Sequence, residues 1–193
     1  MQEISTKVLI IKPKDKILIS EVFIKQKCSL DVKIKWSVST VCNSERRRFN
    51  LTKSHDDKNA FIGGHEAVGV LVNEYNIQKI YALMPHSNCL TRNEEIKCPA
   101  CLSHNENLCT RMRHAGLDAD TPSGFAEQMF VPKNQLYDVS DVDIELAPFL
   151  EPLACVVRSW GRIGFEYSSG ENIINIIGGG PIGRLHAFFI NKI

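Results

Sequence analysis

The pattern of apolar and polar positions predicts β-strands in the first part of the chain. Residues 7–12 and 16–20 are short apolar runs separated by the turn-forming residues 13–15, which is typical of a β-hairpin. Between residues 32 and 39 apolar side chains alternate with lysines and serines. This alternation predicts a strand with one buried face, which ends just before Cys42.

The middle of the chain predicts a loop, two further strands and one helix. Residues 46–60 are polar and predict a loop. Residues 80–84 and 125–131 predict two further strands. Residues 144–160 are apolar enough for a helix that begins or is interrupted near one of its two prolines.

The last part of the chain has the pattern of a nucleotide-binding βα unit. Residues 171–177 form a β-branched run, which predicts a strand buried on both faces of a parallel sheet. A G-x-G-x-x-G sequence and a predicted helix over residues 184–190 follow. This arrangement lets backbone N–H groups approach a pyrophosphate, and the alternative is a glycine turn without a ligand. The predicted cofactor-binding residues are Gly178, Gly180, Pro181, Ile182 and Gly183.

Composition and charge exclude several classes of partner. The 193 residues are 44% hydrophobic and carry a net charge of +1, from 23 basic and 22 acidic side chains. This balance does not favour nucleic acid or an anionic membrane as a partner. No apolar run approaches the roughly 18 residues of a membrane-spanning helix. Residues 1–7 have no apolar leader, so we expect a cytoplasmic protein.

Four cysteines lie within one short stretch and predict a zinc-binding lobe. They are Cys89, Cys98, Cys101 and Cys109, with a Cys-x2-Cys pair at their centre. Tetrahedral zinc takes four thiolates at about 2.3 Å, and closely spaced cysteines on loops supply them. The alternative is a disulfide framework, which is rarer inside cells.

Five short motifs follow one another along the chain. They are Val41-Cys42-Asn43-Ser44-Glu45, Gly64-His65-Glu66-Ala67-Val68-Gly69, Glu106-Asn107-Leu108-Cys109 at the end of the lobe, Gly124-Phe125-Ala126-Glu127 with Val131-Pro132, and Glu151-Pro152-Leu153-Ala154. Their order resembles that of the zinc-containing medium-chain alcohol and polyol dehydrogenases, from about residue 7 to residue 193.

This resemblance implies a fold and an activity. The implied fold is a mostly β, GroES-like catalytic domain over residues 1–155, with a zinc lobe. The start of a Rossmann domain, one βα unit, occupies residues 156–193. The implied reaction transfers hydride between NAD or NADP and a secondary alcohol, polyol or sugar. The resemblance also implies a homo-oligomer.

The resemblance further implies two zinc ions with different roles. A catalytic zinc would be bound by Cys42, His65 and a carboxylate from either Glu66 or Glu151. Ser44 would relay the proton of the substrate hydroxyl. The lobe cysteines would hold a structural zinc.

The chain departs from the family pattern in its lobe and beside Cys42. The family's first lobe cysteine would fall three residues before Cys98, where this chain has Glu95. We expect Cys89 to replace it, with Glu95 as the alternative ligand. Glu45 stands where the family has aspartate, which lengthens the carboxylate expected to orient the zinc ligands.

Three consecutive arginines bear on the choice of substrate. Arg46, Arg47 and Arg48 directly follow the Cys42 motif. We expect a solvated basic loop, and the alternative is a clamp for a phosphorylated substrate.

The chain ends ten residues after Gly183, before the position that would distinguish NAD from NADP. We therefore expect residues 1–193 alone to be incomplete and inactive. The alternative function is a non-catalytic, zinc-stabilised remnant, or one half of a split protein, that binds a partner.

Overall fold

The computed structural model describes residues 1–12, 16–51, 61–72, 79–118, 121–163 and 173–192. Their contacts divide the chain into two compact units, Met1–Pro148 and Phe149–Ile193. The first unit is mostly β, and the described part of the second is built from helices.

The two strands of the predicted hairpin are confirmed and belong to a small three-stranded sheet, and the turn residues 13–15 lie outside the described chain. Strands β1 (Glu3–Lys12) and β2 (Lys16–Lys25) pair antiparallel along their whole length. The short strand β4 (Phe61–Ile62) pairs with the other edge of β1, which gives the order β2-β1-β4. Thr6 and Val8 of the central strand are buried while Lys7 between them is exposed, so one face of this strand points into the core.

A second, five-stranded antiparallel sheet carries the main core. Its order is β10-β6-β5-β3-β9, with β3 at Asp31–Thr40, β5 at Glu66–Leu71, β6 at Ile80–Leu83, β9 at Gln128–Pro132 and β10 at Leu136–Asp138. Ile34 and Trp36 are buried while Lys35 and Ser37 between and beside them are exposed. The alternation predicted for this segment is therefore confirmed, and the strands predicted near residues 80 and 130 are present with shifted ends.

The segment after β3 differs from its prediction. Asn43–Leu51 is a helix, α1, so the loop predicted for residues 46–60 is wrong for residues 46–51, and residues 52–60 lie outside the described chain. Arginine and glutamate favour helices, and Glu45 lies in the first turn, where a negative charge is favourable. The helix was missed because it has no apolar stripe.

The cysteine lobe is built from very short elements. They are β7 (His86–Ser87), α2 (Pro99–Leu102), a 3-10 turn at Glu106–Leu108 and β8 (Arg113–His114). Strands β7 and β8 pair and close the base of the lobe. Elements of two to four residues bury little apolar area, so the lobe needs another source of stability.

In the second unit two helices pack on each other. Helix α3 spans Leu150–Ile163 and helix α4 spans Pro181–Ile190, which confirms both predicted helices. The Trp160 indole donates a hydrogen bond to Nδ1 of His186 across 2.9 Å and joins them. None of the helices in the described chain has the length and apolar character needed to cross a bilayer.

The strand predicted before the glycine motif is not formed over residues 173–177, and residues 171–172 lie outside the described chain. A strand exists only through hydrogen bonds to a neighbouring strand. The described residues of the second unit supply no such neighbour.

We expect Gly69→Ala to destabilise the first unit. An added Cβ on Gly69 of β5 would lie 2.3 Å from the carbonyl oxygen of Lys35 on β3. Because that contact is with backbone, relief requires the sheet to shift, and we expect a loss of about 1–3 kcal/mol. Urea unfolding followed by Trp36 fluorescence, in a Trp160→Phe background, measures the loss.

The matched control is Gly161→Ala in helix α3, where an added Cβ meets nothing within 4 Å. Alanine also favours a helix over glycine. The control should leave the Trp36 transition unchanged, whereas equal midpoints for both variants would contradict the close contact.

Candidate metal-binding sites

The four lobe cysteines converge on one buried point. Their sulfur atoms all lie within 4.8 Å of one another, and each cysteine is at most 7% exposed. The Cys89 and Cys109 sulfurs are 3.5 Å apart, and those of Cys98 and Cys109 are 3.8 Å apart. A zinc tetrahedron with Zn–S bonds of about 2.3 Å has edges of about 3.8 Å, so these residues fit the metal.

The same distances decide between the alternatives considered for the lobe. A disulfide bond is about 2.05 Å long, and all seven cysteines of the chain are unbonded. Cys89 belongs to the buried group, while Glu95 is exposed and is not part of it. The geometry therefore favours four thiolates over the Glu95 alternative.

The lobe backbone favours negative charge on one of its sulfurs. Backbone hydrogen bonds from Cys101 and Thr110 lower the pKa of Cys98 to about 5. Burial acts in the opposite direction on Cys101 and raises its pKa. A thiolate is the metal-binding form of cysteine, so Cys98 is the lobe residue most ready to bind a cation.

A second group lies where β3 ends and β5 begins. Cys42 follows β3 and precedes α1, and His65 immediately precedes β5. Together with Glu45 they place their ligand atoms within 4.8 Å of one another. Their proximity follows from the antiparallel pairing of β3 with β5, in which Thr40 lies opposite Glu66.

The buried carboxylate of Glu45 orients this group. Its Oε1 accepts hydrogen bonds from the backbone N–H groups of Gly64 (3.0 Å) and His65 (3.3 Å), and lies 2.5 Å from His65 Nδ1. Its Oε2 accepts one from the Cys42 N–H at 3.0 Å. These contacts occupy both oxygens, which makes Glu45 a positioning residue.

Hydrogen bonding keeps Glu45 ionised although it is only 1% exposed. Burial alone would raise its pKa. The hydrogen bond from His65, together with the backbone hydrogen bond from Gly64, outweighs burial and lowers the pKa.

The contact with Glu45 also fixes the role of each imidazole nitrogen. When Nδ1–H of His65 donates to Glu45, Nε2 keeps a free lone pair, which is the form that binds metals. Ser44 Oγ lies 3.5 Å from this Nε2. The hydroxyl of Ser44 is therefore beside the atom that would hold a metal.

The carboxylate of Glu66 completes the group in the first unit. Its side chain is buried and accepts a hydrogen bond from the Thr40 hydroxyl. Burial raises the pKa of Cys42, hydrogen bonds from Ser44 oppose this, and the negative charge of Glu66 adds to the rise. A thiol held close to a buried carboxylate is a poor arrangement without a cation and a suitable one with zinc.

The backbone on both sides of His65 is held by a close crossing of two segments. Gly124 N–H donates to Gly64 O (2.6 Å), and Phe125 N–H donates to Gly63 O (3.0 Å). Gly64 has a φ of +93°, and a Cβ there would lie 2.5 Å from the Phe125 nitrogen. Only glycine fits, so this crossing sets the direction from which His65 enters the site.

The other predicted site residues belong to the second unit. Glu151 lies in the first turn of α3. Gly178 has a φ of +106°, Gly180 caps α4, and Gly183 comes so close to the Gly178 carbonyl that a Cβ would lie 2.0 Å from it. The glycine motif thus forms a tight turn at the N-terminus of α4, as a dinucleotide site requires.

Sequence reasoning missed several residues that support these sites. Thr40 was detectable in principle, because it lies at the end of the strand, two residues before Cys42. Arg92, Glu94 and Arg111 form a cluster of charges beside Cys89. Their pairing depends on how the loop folds, and no sequence spacing signals it.

The profile of the alcohol dehydrogenase GroES-like domain matches residues 29–141, which is more than half of the chain. The chain belongs to this family. The predicted family and fold class are therefore confirmed.

Two curated relatives from Escherichia coli (strain K12) are similar to it. One is an uncharacterized zinc-type alcohol dehydrogenase-like protein, YdjL, which is 26% identical over 79% of this chain and 45% of the relative. The other is L-galactonate-5-dehydrogenase, 29% identical over 62% of this chain and 34% of the relative. The chain thus spans less than half the length of these relatives.

Among solved structures, galactitol-1-phosphate dehydrogenase from Escherichia coli superposes with a TM-score of 0.77 at 24% identity. The superposition covers 96% of this chain and 52% of that chain. At this identity the likeness shows the fold.

We expect Cys98→Ser to remove the zinc of the lobe. Serine offers no thiolate, and a site with three thiolates holds zinc far more weakly. Zinc content measured by elemental analysis should fall by about one ion per chain. Limited proteolysis should then cut within residues 86–118.

Cys28→Ser is the matched control, because Cys28 lies in the turn after β2, where its sulfur accepts a hydrogen bond from the Leu30 N–H. Serine can accept the same bond. A Cys98→Ser protein with the zinc content of the control would contradict the lobe assignment.

We expect Glu45→Gln to destabilise the protein by about 2–4 kcal/mol at pH 7. Glutamine turns an NH2 group towards backbone N–H donors and leaves them unpaired. Because folding lowers the pKa of Glu45, its stabilisation is present above the unfolded pKa of about 4.3 and declines as pH falls through the folded value.

Urea unfolding at several pH values checks both statements. The difference between wild type and Glu45→Gln should be largest near neutrality and shrink below about pH 4. Glu95→Gln changes an exposed carboxylate in the same way and serves as the control. A difference that stays constant with pH would show that Glu45 does not act through its charge.

Proposed function

We propose that this chain supplies the substrate- and zinc-binding part of an oxidoreductase that transfers hydride between NAD(P) and a secondary alcohol of a polyol or sugar. The observation that carries the proposal is the group formed by Cys42, His65 and Glu66, with Ser44 beside it and Glu45 behind it. It combines a metal-ligand set, a proton-accepting hydroxyl and an orienting carboxylate.

The proposed metal ligands are Cys42, His65 and one carboxylate, either Glu66 or Glu151. Zinc bound there would supply Lewis acidity, which lowers the pKa of a hydroxyl group that binds it. Glu45 holds the His65 imidazole and the Cys42 backbone in place, so that the ligands need little rearrangement. Cys89, Cys98, Cys101 and Cys109 would hold a second, structural zinc.

Ser44 is proposed to carry the proton of the substrate hydroxyl. Its Oγ accepts that proton and passes its own hydrogen outward towards solvent. The carbinol carbon then releases its hydrogen as hydride to the nicotinamide, so that the two electrons leave with the hydride and the alcohol becomes a carbonyl.

The cofactor is proposed to bind at the N-terminus of α4. Gly178, Gly180, Pro181, Ile182 and Gly183 form a turn whose backbone comes close to the helix end. Such a turn binds pyrophosphate through N–H groups and the helix dipole.

We also propose three properties of the whole protein. They are a domain division between residues 155 and 156, a homo-oligomer and a cytoplasmic location.

The proposed substrate is a polyol, sugar or sugar acid, since one relative is named for oxidising L-galactonate. Arg46 and Arg47 are exposed on α1, in the two turns that follow Cys42. Arginine side chains at these positions are suited to an anionic substrate. The proposed substrate class therefore includes molecules with a carboxylate or phosphate group.

Steady-state assays of the native protein that carries this chain test the proposal. NADH or NADPH formation with a panel of polyols and sugar acids should be detectable by absorbance. Ser44→Ala should lower kcat by about 10²- to 10³-fold, because it removes the proton acceptor. His65→Ala should lower both kcat and bound zinc.

Ser29→Ala and His104→Ala change exposed residues of the same types and should retain full activity. A Ser44→Ala enzyme with the kcat of the Ser29→Ala control would contradict the proton relay. A zinc-loaded native protein without any NAD(P)-dependent turnover would contradict the dehydrogenase and favour the partner-binding alternative.

A further inference from the structure

A guanidinium group contacts one of the lobe sulfurs. Arg111 lies two residues after Cys109, and its Nη2 donates to the Cys89 sulfur at 3.3 Å. The same nitrogen donates to the Ile96 carbonyl, and Nη1 lies 2.9 Å from Glu94 Oε2. The side chain therefore joins the first cysteine of the lobe to the loop that follows it.

This loop, residues 90–97, is organised by its own hydrogen bonds. The Asn88 side chain accepts from the N–H groups of Leu90 (2.9 Å) and Thr91 (3.0 Å). The Glu94 N–H donates to the Cys89 carbonyl at 2.9 Å. The loop thus folds back over Cys89 and brings Glu94 beside it.

Two arginines share Glu94. Arg92 Nε and Nη2 lie 2.8 and 2.5 Å from Glu94 Oε1, and Arg92 Nη2 also donates to the Arg111 carbonyl at 2.9 Å. The side chains of Arg92 and Glu94 are 16% and 27% exposed, whereas that of Arg111 is 45% exposed. Glu94 is partly shielded and held on both sides, so it can fix the direction of Arg111.

The charge of a zinc–tetrathiolate centre explains what the hydrogen bond from Arg111 to Cys89 would do. Four thiolates around Zn²⁺ leave an excess charge of about −2. A hydrogen bond from a cation to a thiolate offsets part of that charge and withdraws electron density from the sulfur. The sulfur so contacted should be less reactive towards electrophiles than it would be without the bond.

We propose that Arg111 is a positioning residue for the lobe. Its side chain holds Cys89 in place as the first zinc ligand and protects the Cys89 thiolate from electrophilic attack. Cys89 needs such support because it lies nine residues before Cys98, at the far end of the 90–97 loop. This inference rests on the proposed binding of zinc by the lobe.

Residue-resolved alkylation of the zinc-loaded protein tests the role of Arg111. Iodoacetamide transfers its carboxamidomethyl group to a thiolate, with a new S–C bond and loss of iodide, and peptide mass spectrometry gives a rate for each lobe cysteine. In Arg111→Met, Cys89 should react roughly fivefold faster, relative to Cys101, than in wild type. Methionine keeps much of the side-chain length but removes the charge and the donors.

Two further variants make the test specific. Arg111→Lys retains the charge and should give a Cys89 alkylation rate between those of wild type and Arg111→Met. If Arg111→Met does not fold, the rate measured for Arg111→Lys tests the proposal. Arg113→Met removes an arginine two residues further on, in β8, and should leave the ratio of Cys89 to Cys101 unchanged.

The possible results distinguish the role of Arg111 from the proposed binding of zinc by the lobe. Equal acceleration of all four cysteines, or an unchanged rate at Cys89, in a zinc-loaded Arg111→Met protein overturns the role of Arg111 alone. A wild-type protein whose lobe retains no zinc in a native mass spectrum overturns the zinc assignment and this inference together.

Discussion

The site in the first unit depends on one buried hydrogen bond, which Nδ1–H of His65 donates to the carboxylate of Glu45. The two residues come from different elements, the first turn of α1 and the residue before β5. Their contact, with the bonds from Glu45 to the Cys42 and Gly64 backbones, ties the end of one strand to the start of its neighbour. A buried carboxylate without these partners would be strongly unfavourable, so the whole junction must form together.

The same unit uses two different ways to hold its chain in place. The five-stranded sheet packs Ile34, Trp36 and Val131 in an apolar core. The lobe has instead a centre made of four cysteines, with few apolar neighbours. A sheet core tolerates many apolar exchanges, whereas a metal-centred lobe depends on each ligand separately.

Much of this arrangement could be predicted from the sequence, and the failures have physical causes. Alternation at Val32–Val38 and the spacing of Cys98 and Cys101 are local signals, and both led to correct structure. Helix α1 was missed because polar contacts rather than an apolar face hold it. The strand expected before Gly178 was wrong because strands depend on neighbours that a local pattern does not contain.

The site itself was predicted from motifs, but its supporting contacts were not. Cys42, Ser44, His65 and Glu66 were expected, and the structure brings them together in the first unit. The hydrogen bond from Thr40 to Glu66 and the contact of Arg111 with Cys89 depend on side-chain directions in the folded chain. Such contacts between distant residues leave no periodic trace in a single sequence.

The glycine crossing beside His65 has a consequence for protein engineering. At Gly64 and Gly124 an added methyl group would meet backbone or a buried neighbour at 2.3–2.8 Å. Libraries that seek new substrate preferences should therefore leave these positions invariant. Diversity is better placed on the solvent-facing side of α1, where Arg46 and Arg47 are exposed and larger or smaller side chains can be accepted without moving the histidine.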